Sequence, residues 1–509
     1  MGKRTAVLKT IALLGGAGLV ALPTGALAGA SQSELERKIE ELSRQLQELK
    51  AQVGKQKETI TTYSDKVDSM DSMLDEKSEA WDLASRFKIS GDFRARGDYY
   101  EASSAIPGTG SQRNDTLLTN RLRLNMEAKA TENIEFKGRL AMYKVWGMQS
   151  APDGVGGGFP IFDGNTTRTP SDSALYVDRA FVNWNNIGGM PFWFSIGRRP
   201  TTDGPPAQLR MNDDERMATP TAYMDYPFDG LTLGYAYDWG NQFLGKGRIR
   251  FCYGRGFENG LQTAGDQLWT NDTDFAGFNW DVFHQGPRLL NVQIFGAFNL
   301  FNYPDFTSDF VNYGASMPPQ MGGYGDRKNL GNVYHTSAVY VDKFKSLNYF
   351  IAGGWSRTDP NENGMFNDPF SPTTNTSSEN GYSLYAGIRY DLDQAGLKFG
   401  AEYNYGSKYW ISFSPGNDDI YMSKLATRGN AYELYMIYDL PTGEKLSKYG
   451  KAFVRLGWQH YDYNYSGYFD WNMRPYDLSS ASDLTQLQMT GQNPVRSADQ
   501  VYVTFEVNF

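Results

Sequence analysis

The chain has 509 residues, a formal net charge of −9 and one cysteine, so intramolecular disulfides are excluded and nucleic-acid binding is not expected. It is polar on average, with a mean hydropathy of −0.54, although 15% of its residues are aromatic and 54 are glycine. A globular protein of this length usually has buried runs of Leu, Ile and Val. The composition is more typical of a β-barrel that faces lipid with only every second residue.

Residues 1–30 have the features of an export signal. Lys3, Arg4 and Lys9 form a basic start, the apolar run IALLGGAGLVAL follows, and Ala26 and Ala28 suit a signal peptidase. An N-terminal membrane anchor is the alternative, but the apolar run is too short to span a bilayer comfortably. We therefore predict that the chain is exported, and no later apolar run is long enough for a transmembrane helix.

Residues 31–84 are predicted to form a periplasmic coiled coil. Apolar residues recur at alternating steps of four and three for nearly six heptads, which predicts a helical rod of roughly 60 Å. The alternative is a single amphipathic helix lying on the barrel or the membrane, but a two-position seam is too narrow for that. The predicted oligomerisation seam consists of Leu35, Ile39, Leu42, Leu46, Leu49, Val53, Ile60, Val67, Met70 and Leu74.

From Phe87 the hydrophobic period changes to two, as in FKISGDFRAR and RLRLNMEAK. About sixteen such runs follow, each long enough to cross a bilayer as a tilted strand, and their connections alternate between long and short. A soluble sandwich or propeller would also have many short strands, but it would not explain this alternation together with the export signal. We predict an all-β transmembrane barrel of about sixteen antiparallel strands over residues 85–509.

The C-terminal stretch VYVTFEVNF alternates strictly and ends on an aromatic residue. We expect lipid to solvate its apolar face, water its polar face, and the first strand near Phe87 to close its edge. Val507 and Phe509 also resemble the terminal signal that barrel-insertion machinery reads in outer-membrane proteins.

The strand face predicted to line the lumen is rich in arginine. By alternation the inward residues include Arg94, Arg96, Arg121, Arg123, Arg139, Arg179, Arg199, Arg248 and Arg250. The fourth strand, YVDRAFVNW, has charges on both faces, and Arg179 is placed inward because Val182 and Trp184 then face lipid. With about sixteen strands the lumen would be wide enough for an aqueous channel.

The third long connection, about 200–229, is too long and too rich in proline for a simple hairpin. It carries Asp203, Arg210, Asp213, Asp214 and Glu215. We expect it to fold into the barrel, so that an acidic loop faces the arginines and sets up a transverse field at a constriction. The alternative is a solvated external loop.

The stretches DRAFVNW and GRRPTTDGPP, together with the N-terminal coiled coil, resemble a family of outer-membrane porins classed as a domain of unknown function. The resemblance covers the barrel and implies a porin-like channel, and porins are commonly trimeric. The architecture is more distantly similar to anion- or phosphate-selective porins that have an N-terminal coiled coil. Their lysine cluster is absent from the third loop here, where acidic residues outnumber Arg210 and Arg216.

The sequence does not predict an enzyme or a cofactor. His284, His335 and His460 form no metal-spaced cluster, and the calcium-loop-like DPNENG has Phe370 where a bidentate Glu is required.

Three functions remain open. The first is a passive diffusion porin for small hydrophilic solutes or ions, mildly anion-preferring. The second is a tether that links the outer membrane to peptidoglycan or a periplasmic partner through the coiled coil. The third is a sheath for a redox or secretion partner. All three place the barrel in outer-membrane lipid and the coiled coil in the periplasm, and the porin reading favours a homotrimer.

Overall fold

The computed structural model describes residues 32–152, 167–200, 203–213, 222–261, 270–302, 328–415, 418–490 and 492–509. The chain divides into two compact units, Met1–Leu83 and Ala84–Phe509. The predicted export signal, residues 1–30, lies outside the described residues.

A single helix, α1 (Gln32–Arg86), accounts for the described part of the first unit. Its predicted seam residues from Leu35 to Met70 are 46–68% exposed, so the described residues leave the apolar stripe uncovered. The side chain of Leu74, the last predicted seam residue, is not among those that the structure describes. In the described part of the chain, no helix combines the length and the apolar character needed to cross a bilayer. The helix is therefore observed, and its pairing into a coiled coil stays a prediction.

Sixteen strands form the second unit. They are β1 (Phe87–Ser104), β2 (Ser111–Lys129), β3 (Ile134–Val145), β4 (Tyr176–Trp184), β5 (Phe192–Arg199), β6 (Phe228–Asp238), β7 (Lys246–Phe257), β8 (Thr273–Gln285), β9 (Arg288–Phe301), β10 (Asn329–Phe344), β11 (Leu347–Pro360), β12 (Asn380–Leu392), β13 (Leu397–Gly406), β14 (Gly429–Asp439), β15 (Lys451–Tyr463) and β16 (Val495–Asn508). Within the described residues a second α-helix, α2 (Ala481–Met489), lies between β15 and β16.

Each strand pairs with its sequence neighbour in antiparallel fashion, and β1 pairs with β16 to close the barrel. Phe93 lies opposite Val507 in this pairing. Two residues further toward the end of the strands, the amide of Gly91 donates to the carbonyl of Phe509 at 2.9 Å, and the amide of Phe509 donates to the carbonyl of Gly91 at 3.0 Å. The predicted strand number and the closure of the last strand on the first are both confirmed.

The period-two pattern sorts side chains between the two faces of the wall. On β16 the apolar Val501, Val503 and Phe505 are exposed, whereas Tyr502 and Thr504 are buried in the interior. Because an outward apolar face and an inward polar face suit lipid outside and water inside, this wall has the pattern of a membrane barrel.

Connections alternate in length as predicted. Tight links such as 130–133, 286–287 and 345–346 lie at one end of the barrel, together with the start of β1 and the end of β16. Long connections lie at the other end. The first of these is shorter than expected, 105–110 rather than 100–116, because β1 and β2 continue their pairing as far as Ser103 and Ser111.

Four of the long connections matter for the interior and are named loop three (200–227), loop six (361–379), loop seven (407–428) and loop eight (464–494). Loops six, seven and eight are joined by hydrogen bonds to backbone carbonyl oxygens. The amide of Phe366 donates to the carbonyl of Trp471, and Nη2 of Arg428 donates to the carbonyl of Asp470 at 2.6 Å. These three loops therefore form one packed layer.

An apolar core lies inside the barrel against strands β6 to β11. Trp410 and Phe413 of loop seven are fully buried there, in contact with Tyr223 of loop three and with Phe295 and His335 of the wall. His335 stacks on Phe295 with ring centroids 4.8 Å apart. The interior thus has an apolar side filled by loop residues and a charged side formed by other strands.

Candidate constriction of the barrel

The charged side of the interior is an arginine wall on strands β1 to β4, consisting of Arg94, Arg96, Arg121, Arg123, Arg139 and Arg179. Arg94 lies directly opposite Arg121, and Arg139 lies directly opposite Arg179. Like charges in directly opposed positions destabilise a sheet. The wall therefore requires carboxylates from elsewhere in the chain.

Strand β4 brings two adjacent charges to the inside through an irregularity. Arg139 pairs with Arg179 and the next residue, Leu140, pairs with Val177, so Asp178 has no partner in the ladder. Such a bulge re-aims a side chain, and both Asp178 and Arg179 are buried. This explains why YVDRAFVNW has charges on both alternating faces, and why Arg179 is buried beside Asp178.

Loop three supplies one carboxylate to the wall. Oδ2 of Asp203 accepts hydrogen bonds from Arg123 at 3.0 Å, Arg139 at 2.9 Å and Arg179 at 3.0 Å. Burial would raise the pKa of Asp203, but these three guanidiniums overcome that effect and hold the pKa well below its ordinary value. Asp203 adopts the left-handed conformation, with φ of 61°, at the turn that begins the TDGPP segment.

Loop seven supplies a second carboxylate. Asp418 forms ion pairs with Arg94, with Arg96 at 3.3 Å, with Arg121 at 3.4 Å and with Arg455 of β15 at 2.7 Å. Burial favours a higher pKa for Asp418, yet its arginine neighbours lower that pKa well below the ordinary value. The sequence reasoning missed this residue. The turn-forming stretch SPGNDD, with two adjacent acids inside a long loop, was its only signal.

Loop three also crosses the barrel from β5 to the opposite side. Arg210 is buried and pairs with Asp419 of loop seven at 3.0 Å and with Glu433 of β14 at 2.9 Å. The carbonyl of Leu209 accepts from Arg389 of β12, and Lys398 of β13 donates to Asn212 at 2.6 Å. Contacts with both the β2–β4 wall and the β12–β14 wall place the described part of this loop within the lumen.

A small polar cavity of about 50 Å³ remains between the wall and the two loops. Its charged lining consists of four guanidiniums and four carboxylates: Arg121, Arg123, Arg139 and Arg168, and Asp178, Asp203, Asp418 and Asp419. Because a water molecule occupies about 30 Å³, this cavity admits one or two waters or a small ion. Its lining is balanced in charge, so the cavity is not a net positive site.

The remaining predicted constriction residues lie elsewhere. Arg248 and Arg250 on β7 approach Asp281 of β8, and Arg199 on β5 lines a different, apolar cavity. In loop three Asp213 is exposed, and Asp214 and Glu215 lie outside the described residues. The carboxylate that meets the arginine wall from the described part of loop three is therefore Asp203, one of the several acidic residues of the loop for which the sequence predicted that role.

The solved structures that match this chain are distant in sequence. No curated protein matches this chain. Among solved structures, Salmonella typhi OmpF in complex with daunomycin is 11% identical, with 83% of this chain and 98% of that chain covered and a TM-score of 0.40. OmpT, an outer membrane protein of Vibrio cholerae, is 10% identical, with coverage of 83% and 97% and a TM-score of 0.40. Pseudomonas putida OprB is 9% identical, with coverage of 86% and 97% and a TM-score of 0.43.

The sequence profile of the family described as "Protein of unknown function (DUF3373)" matches residues 111–509, which span β2 to the end of β16. The match covers most of the chain and nearly all of the barrel. This chain therefore belongs to the DUF3373 family.

Proposed function

We propose that this protein is an outer-membrane porin, a passive diffusion channel for small hydrophilic solutes or ions. One observation carries the proposal: within a closed sixteen-stranded barrel, two loops face an arginine wall with the carboxylates of Asp203 and Asp418. Opposed rows of fixed charge at a narrow point orient dipolar solutes and favour small polar ones.

The positive charge of Arg199, unpaired within the described residues and added to a balanced constriction, supports a mild preference for anions. The polar cavity is lined by equal numbers of guanidiniums and carboxylates, so it discriminates weakly by charge. Arg199 has no carboxylate partner among the described residues, and it adds positive charge to the lumen beyond that balance. The net effect is a channel that admits both signs of ion and passes anions somewhat more easily.

The exposed seam of α1 supports the proposal of a homotrimer. Nine seam residues from Leu35 to Met70 are exposed along one chain, and an apolar stripe of this length is normally covered by partner helices. A trimeric coiled coil on the periplasmic side would hold three barrels together.

Liposome swelling with solutes of increasing size tests the channel directly. Purified protein in proteoliposomes should allow glycerol and small sugars to enter, with rates that fall steeply as solute size increases. Equal exclusion of every solute, with protein shown to be inserted, would contradict the proposal.

A tether that links the outer membrane to peptidoglycan or a periplasmic partner is the second candidate. The packed layer of loops six to eight and the exposed helix seam favour it, because neither feature needs an open lumen. Deletion of residues 31–81 should then damage envelope attachment and leave conductance unchanged. Loss of conductance with attachment intact would favour the porin alone.

A further inference from the structure

A second cavity, of about 90 Å³, lies on the inner side of strands β5 to β9, apart from the arginine wall. Aromatic and thioether side chains dominate its lining, among them Met224 of loop three, Phe228 of β6, Phe275 of β8 and Phe295 of β9. Phe228 and Phe275 stack with centroids 4.8 Å apart. Of the residues that line this cavity in the described part of the chain, only Arg199 is charged.

The surroundings of Arg199 differ from those of the arginine wall. Among the described residues no carboxylate lies within ion-pair distance of Arg199, and its Nη1 is buried without a hydrogen-bond partner. The adjacent Arg198 points to the outer face, where it lies 3.7 Å from Asp229. A buried donor that lacks a partner carries a free-energy cost, and buried charges in proteins are normally paired. An anion from solution would remove this cost.

We propose that this cavity binds a small monocarboxylate with a short branched apolar body, and that Arg199 holds its carboxylate. This inference rests on the proposed function, because the solute must enter the lumen. The apolar walls of Phe228, Phe275 and Phe295 cover the body of the solute. A volume of about 90 Å³, or roughly three waters, limits that body to a few carbons. Thr232 and Gln293 add polar groups to the lining.

Three matched probes separate the two recognition elements. Isobutyrate carries both the charge and the branched body, isobutyramide is its neutral isostere, and acetate keeps the charge with a smaller body. Because each buried methylene contributes about 0.8 kcal/mol, isobutyrate should bind about tenfold more tightly than acetate. Isobutyramide should bind at least tenfold more weakly than isobutyrate, because it cannot form the charge-assisted hydrogen bonds.

Saturation-transfer NMR on the purified full-length protein measures these affinities without any need for conductance. Arg199→Gln should weaken isobutyrate binding about tenfold or more and leave isobutyramide unchanged. Arg288→Gln is the matched control, since it removes the same charge from the start of β9, where Arg288 pairs with Asp342 away from the cavity. Equal affinity for isobutyrate and isobutyramide in the unmodified protein would overturn the proposal, and this comparison needs no variant to fold.

The reactivity of Cys252 reports whether the solute binds in this cavity. It is the only cysteine of the chain and lines the cavity, with its Sγ 3.4 Å from Oγ1 of Thr232. Isobutyrate should slow modification of Cys252 by N-ethylmaleimide at the concentrations that saturate the NMR signal, and Arg199→Gln should abolish this protection. Binding without protection of Cys252 would place the carboxylate elsewhere and overturn the assignment. Failure of the porin proposal would appear instead as absent chloride conductance, with isobutyrate binding retained.

Discussion

Arg210 of loop three and Glu433 of β14 form a buried ion pair, with Nη1 of Arg210 2.9 Å from Oε2 of Glu433. The pair joins a loop that leaves β5 to a strand on the opposite side of the barrel. It therefore fixes how far loop three extends across the lumen, and conduction through the barrel should depend on it.

Arg210→Gln should release the tip of loop three. Removal of one member of a buried pair costs about 3–5 kcal/mol when the other charge is left alone. Lys424 also pairs with Glu433, so the cost here should lie toward the lower end of that range. Hydrogen exchange of residues 203–213 should accelerate, and single-channel conductance should rise. Arg496→Gln is the control: Arg496 lies 3.9 Å from Asp462 in a pair that is 40–44% exposed, worth at most about 1 kcal/mol. Equal effects of the two variants would contradict a role for loop three.

Asp418→Asn should shift ion selectivity toward anions. The substitution keeps the size of the side chain but removes the charge that Arg94, Arg96, Arg121 and Arg455 share. The wall then has an excess of positive charge, and loop seven loses several kcal/mol of docking energy. The reversal potential under a salt gradient measures the shift. Asp115→Asn, which breaks an exposed pair with Arg113, should leave the potential unchanged.

Loop eight should become less firmly packed as pH rises from about 4 to 7. Burial raises the pKa of Asp470 to about 7, although the backbone amides of Asn472 and Met473 donate to its Oδ1. A folded-state pKa above the unfolded value near 3.9 means that folding takes up a proton, so stability falls across this interval and is constant above it.

Asp470→Asn should remove this pH dependence, because the amide keeps an acceptor oxygen without a titrating group. Limited proteolysis of loop eight at pH 5 and pH 8 provides the measurement. Asp418 provides an internal contrast. Its pKa is lowered, so its contribution is lost only when pH falls below the ordinary range for aspartate. Faster cleavage of loop eight at pH 5 than at pH 8 would show that the sign is wrong.

Gly91→Ala should weaken closure of the barrel. A Cβ at this position would lie 2.6 Å from the carbonyl oxygen of Arg123 and 2.7 Å from the ring of Phe509. Overpacking of this kind typically costs 1–3 kcal/mol. The temperature at which the folded band is lost in gel electrophoresis should therefore fall. Gly353→Ala, whose nearest neighbour would be 3.9 Å away, is the matched control and should cause little change.

Substitution in the α1 seam should dissociate the assembly and leave the barrel folded. Leu42→Asp together with Leu49→Asp places two charges in the apolar stripe, where neither can be paired. Light scattering of the detergent-solubilised protein should change from three copies to one. Lys50→Asp, a charge change on the same helix outside the seam, should keep three copies. A seam variant that stays trimeric would place the contacts on the barrel.

The strands were predictable because the period-two pattern is local. FKISGDFRAR alone identifies which face of β1 carries Arg94 and Arg96, and no residue of a neighbouring strand is needed to read it. Strand β4 was harder, because the bulge at Asp178 breaks the alternation over two residues. The inward placement of Arg179 depended on Val182 and Trp184, which follow the bulge and keep the regular alternation.

The partners of the arginine wall were not predictable, because they come from distant parts of the chain. Arg94 and Asp418 are separated by 324 positions in the sequence. Alternation shows that a side chain faces inward, but it does not show which loop will lie against that side chain. The length and the prolines of loop three predicted that it folds into the barrel. Loop seven has turn residues and aromatics, which suit an external loop as well as one inside the barrel.

A planar-bilayer recording of the purified protein under a potassium chloride gradient shows whether the barrel conducts. We expect stepwise openings in groups of three and a small reversal potential of anion-selective sign. A silent bilayer, with the protein shown to be inserted, would contradict this expectation and leave the tether as the better reading of this structure.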